Sequence, residues 1–208
     1  MFTKETFLLL FVGRKAMEIN MEKLKILAIV GSLRAGSYNL QLAHKVKTSV
    51  GERAEFHFLE HGDIPLLNED IEFPTPEPVR LAREAVAAAD GVWFFTPEYN
   101  HFFSGVLKNL IDWLSRSPDG EAPNVLSGKP AAISGITIGT TGTAVAQDHL
   151  VTLISYLNMD VMNYPRLTIP HAWRIADEGG KLHLEKSISR IEKQADAFLS
   201  FLQSRKAN

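Results

Sequence analysis

The stretch VGSLRAGSYNL, Val30–Leu40, decides how this chain is read. It follows directly on ILAIV, Ile26–Val30, an uncharged run of the kind found in strands buried on both faces. After it an amphipathic pattern begins, with Leu40, Ala43, Val46 and Val50 on one side of a helix over 38–50. Between strand and helix stand Gly31, Ser32, Arg34, Gly36, Ser37 and Asn39. Ser37 is placed to cap the helix, whose first N–H groups lack intrahelical partners and carry a partial positive charge. Hydroxyls, an amide and a guanidinium add donors, and the glycines let the backbone approach closely. Such a loop suits a small anion, above all a phosphate. It is not a P-loop, since no Gly-Lys-Ser/Thr follows, and it is not the GxGxxG of dinucleotide folds. An ordinary polar turn with a helix cap would use the same residues, so the rest of the chain has to decide.

Outward from that stretch, strand-like and helix-like runs alternate. Strands are expected at 24–30, 54–59, 91–96, 130–137 and 160–164. Helices are expected at 38–50, 77–89, 104–116, 143–157 and 185–203, the second carrying Leu81, Ala82, Ala85, Val86 and Ala89 inward. Apolar strands separated by helices imply an α/β domain whose parallel sheet is covered on both faces. The Pro-rich piece 73–78 reads as a loop before a helix.

Ligands of such sheets bind beyond the carboxyl ends of the strands. Two more strand-to-helix loops lie there. TPEYN, Thr96–Asn100, places a proline, a carboxylate, an aromatic ring and an amide at the mouth, with the N–H groups at 98 to 100 free to face a cleft. TIGTTGT, 137–143, is rich in hydroxyls and glycine before the next helix.

Taken together, GSLRxxSxN after the first strand and TPEYNxxxxGxLKNxIDWxSR after the third resemble the NADPH-dependent FMN reductase family, which includes quinone, chromate and azo-dye reductases. The resemblance spans roughly residues 22–200. It implies a flavodoxin-like, doubly wound, five-stranded parallel sheet in the order 2-1-3-4-5 with helices on both faces. It assigns Ser32, Arg34, Ser37 and Asn39 to the FMN phosphate. Pro97, Glu98, Tyr99 and Asn100 would border the isoalloxazine ring, and Thr140, Thr141, Gly142 and Thr143 its pyrimidine side. The implied activity passes a hydride from NADPH or NADH to flavin N5 and then electrons to a quinone, an azo compound, a metal oxyanion or free FMN. No side chain is needed as a catalytic acid. Two departures stand out: Ser104 where the family often has proline, and Gly142-Thr143 where a glycine pair is common. A flavodoxin-like electron carrier, without its own NAD(P)H oxidation, is the alternative. Such carriers tend to be strongly acidic, and this chain has a formal net charge of −2 and an arginine in its phosphate loop.

Composition narrows the rest. The chain has 208 residues, enough for one domain with a substantial core, here expected over 22–205. Its near-neutral charge points to neither nucleic acid nor an anionic membrane. The absence of cysteine removes disulfides and thiolate chemistry and fits a cytoplasmic setting. The seven histidines show no metal-ligand spacing, so no metal is expected. Residues 1–21 read as an extension outside the core; the apolar run Phe7–Val12 is too short to span a bilayer. Trp173, in the HAWR segment, is a candidate wall of a substrate mouth. Finally, helix 104–116 carries a broad apolar arc, Trp113 included. It is expected in the interface of a homodimer or homotetramer, with Arg116 at the edge.

Overall fold

In this computed structural model the described residues are 23–117 and 122–206. The expected extension falls outside them. Strand β1 is Leu24–Val30, followed by α1 (Tyr38–Val50), β2 (Ala54–Phe58), α2 (Glu77–Ala88), β3 (Gly91–Phe95) and α3 (Gly105–Ser115). The second half holds β4 (Pro130–Ile136), α4 (Ala144–Tyr156), β5 (Asp160–Val161), β6 (Leu167–Ile169) and α5 (Ile188–Lys206). The strands pair in parallel in the order β2-β1-β3-β4-β5. This is the flavodoxin-like order expected from the sequence.

Strand alternation explains the two cores. Leu24, Ile26, Ala28 and Val30 of β1 pack under α1 and α5, with Trp93 and Phe198 at the centre of that layer. Leu27 and Ile29 turn the other way, towards α2, α3 and α4. Each apolar side chain of β1 is thus committed to one of two layers; Lys25, at its start, is half-buried and joins neither.

The fifth strand differs from expectation. Instead of one strand over 160–164, two short strands share the edge: β5 pairs with β4 at Pro130 and Ala131, and β6 at Ser134 to Ile136. Pro165 lies between them and has no N–H to give the ladder, so pairing stops and resumes after it. The inward stripes are also redrawn. In α1 the buried set is Leu42, Ala43, Val46 and Val50, with Leu40 half-buried at its edge. In α2 Leu81 is 51% exposed, and Arg83 is buried in its place. The α2 stripe runs Val79, Ala82, Arg83 and Val86, a three-and-four spacing that leaves Leu81 on the outer side.

The expectation for Trp113 is overturned. Its ring is fully buried within its own chain, and its Nε1–H donates to the Pro65 carbonyl at 2.8 Å. The long β2–α2 connection supplies that cover, lying across α3 and held there by several bonds. Asn109 Nδ2 also donates to Pro65 O at 2.8 Å, and Asn109 Oδ1 accepts from Leu67 N–H at 2.8 Å. Arg116, expected at a subunit edge, instead grips Glu72 of the same connection through two bonds of 3.0 and 2.9 Å. Those bonds hold the Glu72 carboxyl below the usual carboxylate range. Burial beside them weighs against the charge on Arg83, whose guanidinium donates to Trp113 O at 3.2 Å.

Candidate functional site

The carboxyl ends of β1, β3 and β4 open into one cleft of about 180 Å³. Its lining includes Ser32, Arg34, Ser37 and Asn39 on one side, and Pro97 and Tyr99 on another. Ser37 caps α1 as expected, its Oγ accepting from Leu40 N–H at 3.4 Å. Helix geometry leaves the N–H groups of Tyr38 and Asn39 without intrahelical partners, next to the Ser37 and Ser32 hydroxyls. Arg34 is exposed, its guanidinium 5.3 Å from the centre of the Tyr38 ring.

Asn39 is placed differently from a free donor. Its amide is buried and forms a reciprocal pair with Ile136: Nδ2 donates to the carbonyl at 3.0 Å, and Oδ1 accepts from the N–H at 3.1 Å. The side chain thus clips α1 to the end of β4, and its Oδ1 and one Nδ2 hydrogen are spent there.

The second loop makes a tight turn, which the sequence reading did not foresee. Tyr99 and Phe102 exchange two backbone bonds of 2.9 Å. Asn100 and His101 between them have φ of 52° and 62°, the left-handed pair that a type I′ turn demands. The Tyr99 N–H is therefore spent inside the turn, and Asn100 projects at its exposed tip.

Glu98 turns away from the cleft. Its carboxylate accepts from Ala146 N–H at 3.0 Å and from Thr141 Oγ1 at 3.4 Å, with His101 Nδ1 3.5 Å away. The cap residue of α4, Thr143, makes no capping bond with its own side chain. Its hydroxyl faces inward and accepts from Gln147 Nε2 at 2.9 Å. Glu98 therefore caps α4 from another loop. Thr140 and Thr141 are exposed beside this strut, and Gly142 sits at φ 67°, a conformation glycine adopts without strain.

The structure thus gathers Ser32, Arg34, Ser37, Asn39, Pro97 and Tyr99 around one space. It leaves Glu98, Asn100 and Thr140–Thr143 outside that lining. Tyr38, Ile136, Thr137 and Ile138 line it as well and were not foreseen. Their signal was position alone, at a helix start and at the carboxyl end of a strand. Ser104, a departure noted above, fills a structural role: its Oγ donates to Gly31 O at 2.6 Å and accepts from Leu107 N–H at 3.4 Å. Trp173 stays exposed, with Arg174 stacked on it at 4.9 Å. A larger hollow of about 350 Å³ lies against β2 and α2 and gathers none of these residues. Among the described residues no three His, Asp or Glu side chains assemble to hold a metal ion, and no helix is long and apolar enough to cross a membrane.

Residues 24–174 match the NADPH-dependent FMN reductase family. The chain belongs to that family. Among relatives, it is 38% identical over 183 residues to a 2-hydroxy-1,4-benzoquinone reductase from a Burkholderia species, covering 88% of this chain and 98% of the other. An NAD(P)H-dependent FMN reductase of Pseudomonas aeruginosa is 41% identical over 177 residues, covering 85% and 94%. A flavoenzyme NAD(P)H:(acceptor) oxidoreductase from Paracoccus denitrificans superposes with a TM-score of 0.77 at 32% identity, covering 87% of this chain and 98% of that one. Membership makes the protein an FMN-dependent NAD(P)H oxidoreductase, and the order of its sheet agrees.

Proposed function

We propose that the cleft holds FMN by its phosphate at the 31–39 loop, and that the enzyme uses NAD(P)H to reduce a small quinone. The observation that carries this reading is the convergence at one opening of the α1 N-terminus, Ser32, Arg34 and Ser37. That donor set suits a phosphate dianion: neutral hydroxyls and N–H groups supply direction, and one exposed guanidinium supplies charge. The opposite walls suit a flat ring system, with Pro97 and Tyr99 facing Ile136 to Ile138.

When bound, FMN supplies the hydride and electron chemistry. The chain's own residues bind, orient and shield. Arg34 and the start of α1 anchor the anionic end, so the ring falls between the second and third loops. Glu98 fixes the spacing of those loops through α4. Free N–H groups on them, such as that of Glu98, stand where negative charge would develop on a reduced ring. Exposed Tyr99, Ile138 and Trp173 offer apolar surface near the opening, fit for an aromatic acceptor. The quinone substrate class comes from the relatives named above. Azo compounds, metal oxyanions and free FMN are further acceptors to try. A cytoplasmic setting suits a chain without cysteine. Assembly as a homodimer or homotetramer is retained without Trp113, with exposed Tyr99 and Phe102 as the apolar contact.

The test is a flavin spectrum of the purified protein, then anaerobic titration with NADPH and with NADH, then turnover with a benzoquinone. Rapid bleaching by one nicotinamide and multiple turnovers are expected. A protein that stays colourless with added FMN overturns the reading. One that takes FMN but is reduced only through a partner protein is an electron carrier instead.

A further inference from the structure

We infer that His61 is a positioning residue for the loop that receives the phosphate, an inference that rests on the phosphate reading above. His61 lies just past the end of β2 and is buried, 6% exposed. Its Nε2 stands 2.9 Å from the carbonyl of Val30, the last residue of β1. A carbonyl only accepts, so Nε2 carries the proton in this contact. Nδ1 is buried and without a hydrogen-bond partner among the described residues. A leucine would fill the same space and orphan nothing. The imidazole leaves one polar atom unserved while the other makes a single bond, and orphaned buried polar atoms call for an explanation.

The ladder supplies it. Leu59, directly after β2, donates its N–H to Ala28 O at 2.9 Å, the last backbone rung from this side to β1. The next rung of a parallel ladder would run from residue 61 to Val30 O. The chain has left the sheet by then, and the His61 ring delivers that rung instead. Val30 C=O and Gly31 N–H belong to one peptide plane, and Gly31 N–H donates to Phe95 O at 2.8 Å. That plane is therefore clamped from both sides, by β3 through its N–H and by His61 through its carbonyl. The following plane is held too: Ser32 N–H donates to Val30 O at 2.8 Å, and Gly31 O accepts from Ser104 at 2.6 Å. From these two planes the backbone sets out to Ser32, Arg34 and Ser37. Removing the ring takes from the Val30 carbonyl its one donor outside the loop and leaves only the local Ser32 N–H, so the plane is held from one side and the donors beyond it lose part of their common aim.

The experiment compares FMN with riboflavin, which lacks the phosphate, by flavin fluorescence on binding. His61→Leu is expected to weaken FMN about fivefold, the worth of one hydrogen bond, and to leave riboflavin within about twofold. His61→Gln, whose amide can reach Val30, is expected to restore most of the difference. If His61→Leu does not fold, as judged by circular dichroism, His61→Asn replaces it, since its amide stops short of the carbonyl. Equal losses for both flavins, or no loss of FMN, overturn the inference. Arg34→Ala is the companion. If it discriminates between the flavins while the His61 variants do not, the phosphate reading stands and only the role of His61 falls. If Arg34→Ala treats both flavins alike, the phosphate reading falls and takes the inference with it.

Discussion

Glu98 caps a helix from a different loop: its carboxylate accepts the Ala146 N–H at 3.0 Å, at the start of α4 and 48 residues away in the chain. The same carboxylate accepts from Thr141. A charge at a helix N-terminus is favourable in itself. Here it also fixes the distance between the second and third loops, the two that flank the proposed ring site.

Glu98→Ala should therefore do two things. It should cost about 1 kcal/mol of stability, the usual effect of a lost cap. It should also weaken FMN about fivefold, because ordering the two loops is then left to the ligand. Glu98→Gln keeps an acceptor oxygen and should stay within about twofold of the parent for FMN. Calorimetric melting and flavin titration of both variants check this. An alanine variant that binds FMN like the parent removes the strut from the site; a glutamine variant as weak as alanine assigns the effect to charge.

How much of this was legible beforehand follows from which interactions are local. β1 and the cap at Ser37 were readable because apolar runs and caps are written in neighbouring residues. The cleft lining at Ser32, Arg34 and Ser37 was readable for the same reason. Asn39 looked like a ligand donor and is a clip, because its partner Ile136 lies on another strand. Glu98 looked like a mouth residue and is a cap, for the same kind of reason. Trp113 looked like spare apolar surface because its cover, the Pro65 carbonyl and its connection, comes from 48 residues upstream. His61 gave no sign in the sequence, since its meaning depends on the rung it supplies to β1. Local patterns report propensity and capping; they do not report which distant backbone group a polar side chain meets.

Gly135→Ala tests how tightly β4 and the third loop are fitted. A Cβ there would fall 2.1 Å from Thr143 Oγ1 and 2.4 Å from the backbone oxygen of Thr96. The hydroxyl could turn, but the carbonyl belongs to Thr96, directly after β3 and bonded through its N–H to Ser134 O at 2.9 Å, and cannot yield cheaply. The variant should lose about 1–3 kcal/mol, the range for overpacking, and should bind FMN more weakly because Thr96 leads into Pro97 and Tyr99. A variant with unchanged melting would mean that the strand ends can part, which contradicts the ladder at Phe95 and Ser134.

Assembly separates Trp113 from Phe102. Trp113→Glu would bury a charge in place of a ring with no access to solvent, so it should unfold the protein rather than dissociate it. Phe102 is 42% exposed and stacks on His149 with ring centres 4.5 Å apart. Phe102→Glu should leave the fold intact. If Tyr99 and Phe102 form the proposed contact, that variant should sediment as a monomer. A parent that is itself monomeric, or a Phe102→Glu protein that stays assembled, removes this surface from the interface. A soluble, folded, dissociated Trp113→Glu protein would restore the interface expected from the sequence.

The last prediction concerns acid. Arg116 grips Glu72 through two bonds and lowers its carboxyl from the ordinary value of 4.5. A carboxyl lowered on folding contributes stability that is complete above its unfolded value and fades as pH falls through the folded one. Glu72→Gln should therefore destabilise the protein at pH 7 by about 1.5 kcal/mol, the lower end for a charged hydrogen bond, because Arg116 remains half-exposed and can be solvated. The gap between variant and parent should shrink below about pH 4.5 and close under the lowered value, where the parent's carboxyl is also neutral. Since Glu72 lies in the connection that covers Trp113, the loss at neutral pH should appear as faster exchange of the Trp113 indole N–H. Urea melts at a series of pH values measure the first effect, and hydrogen exchange at the indole the second. A gap that stays constant down to pH 3 would mean that Glu72 acts by packing and not by its charge.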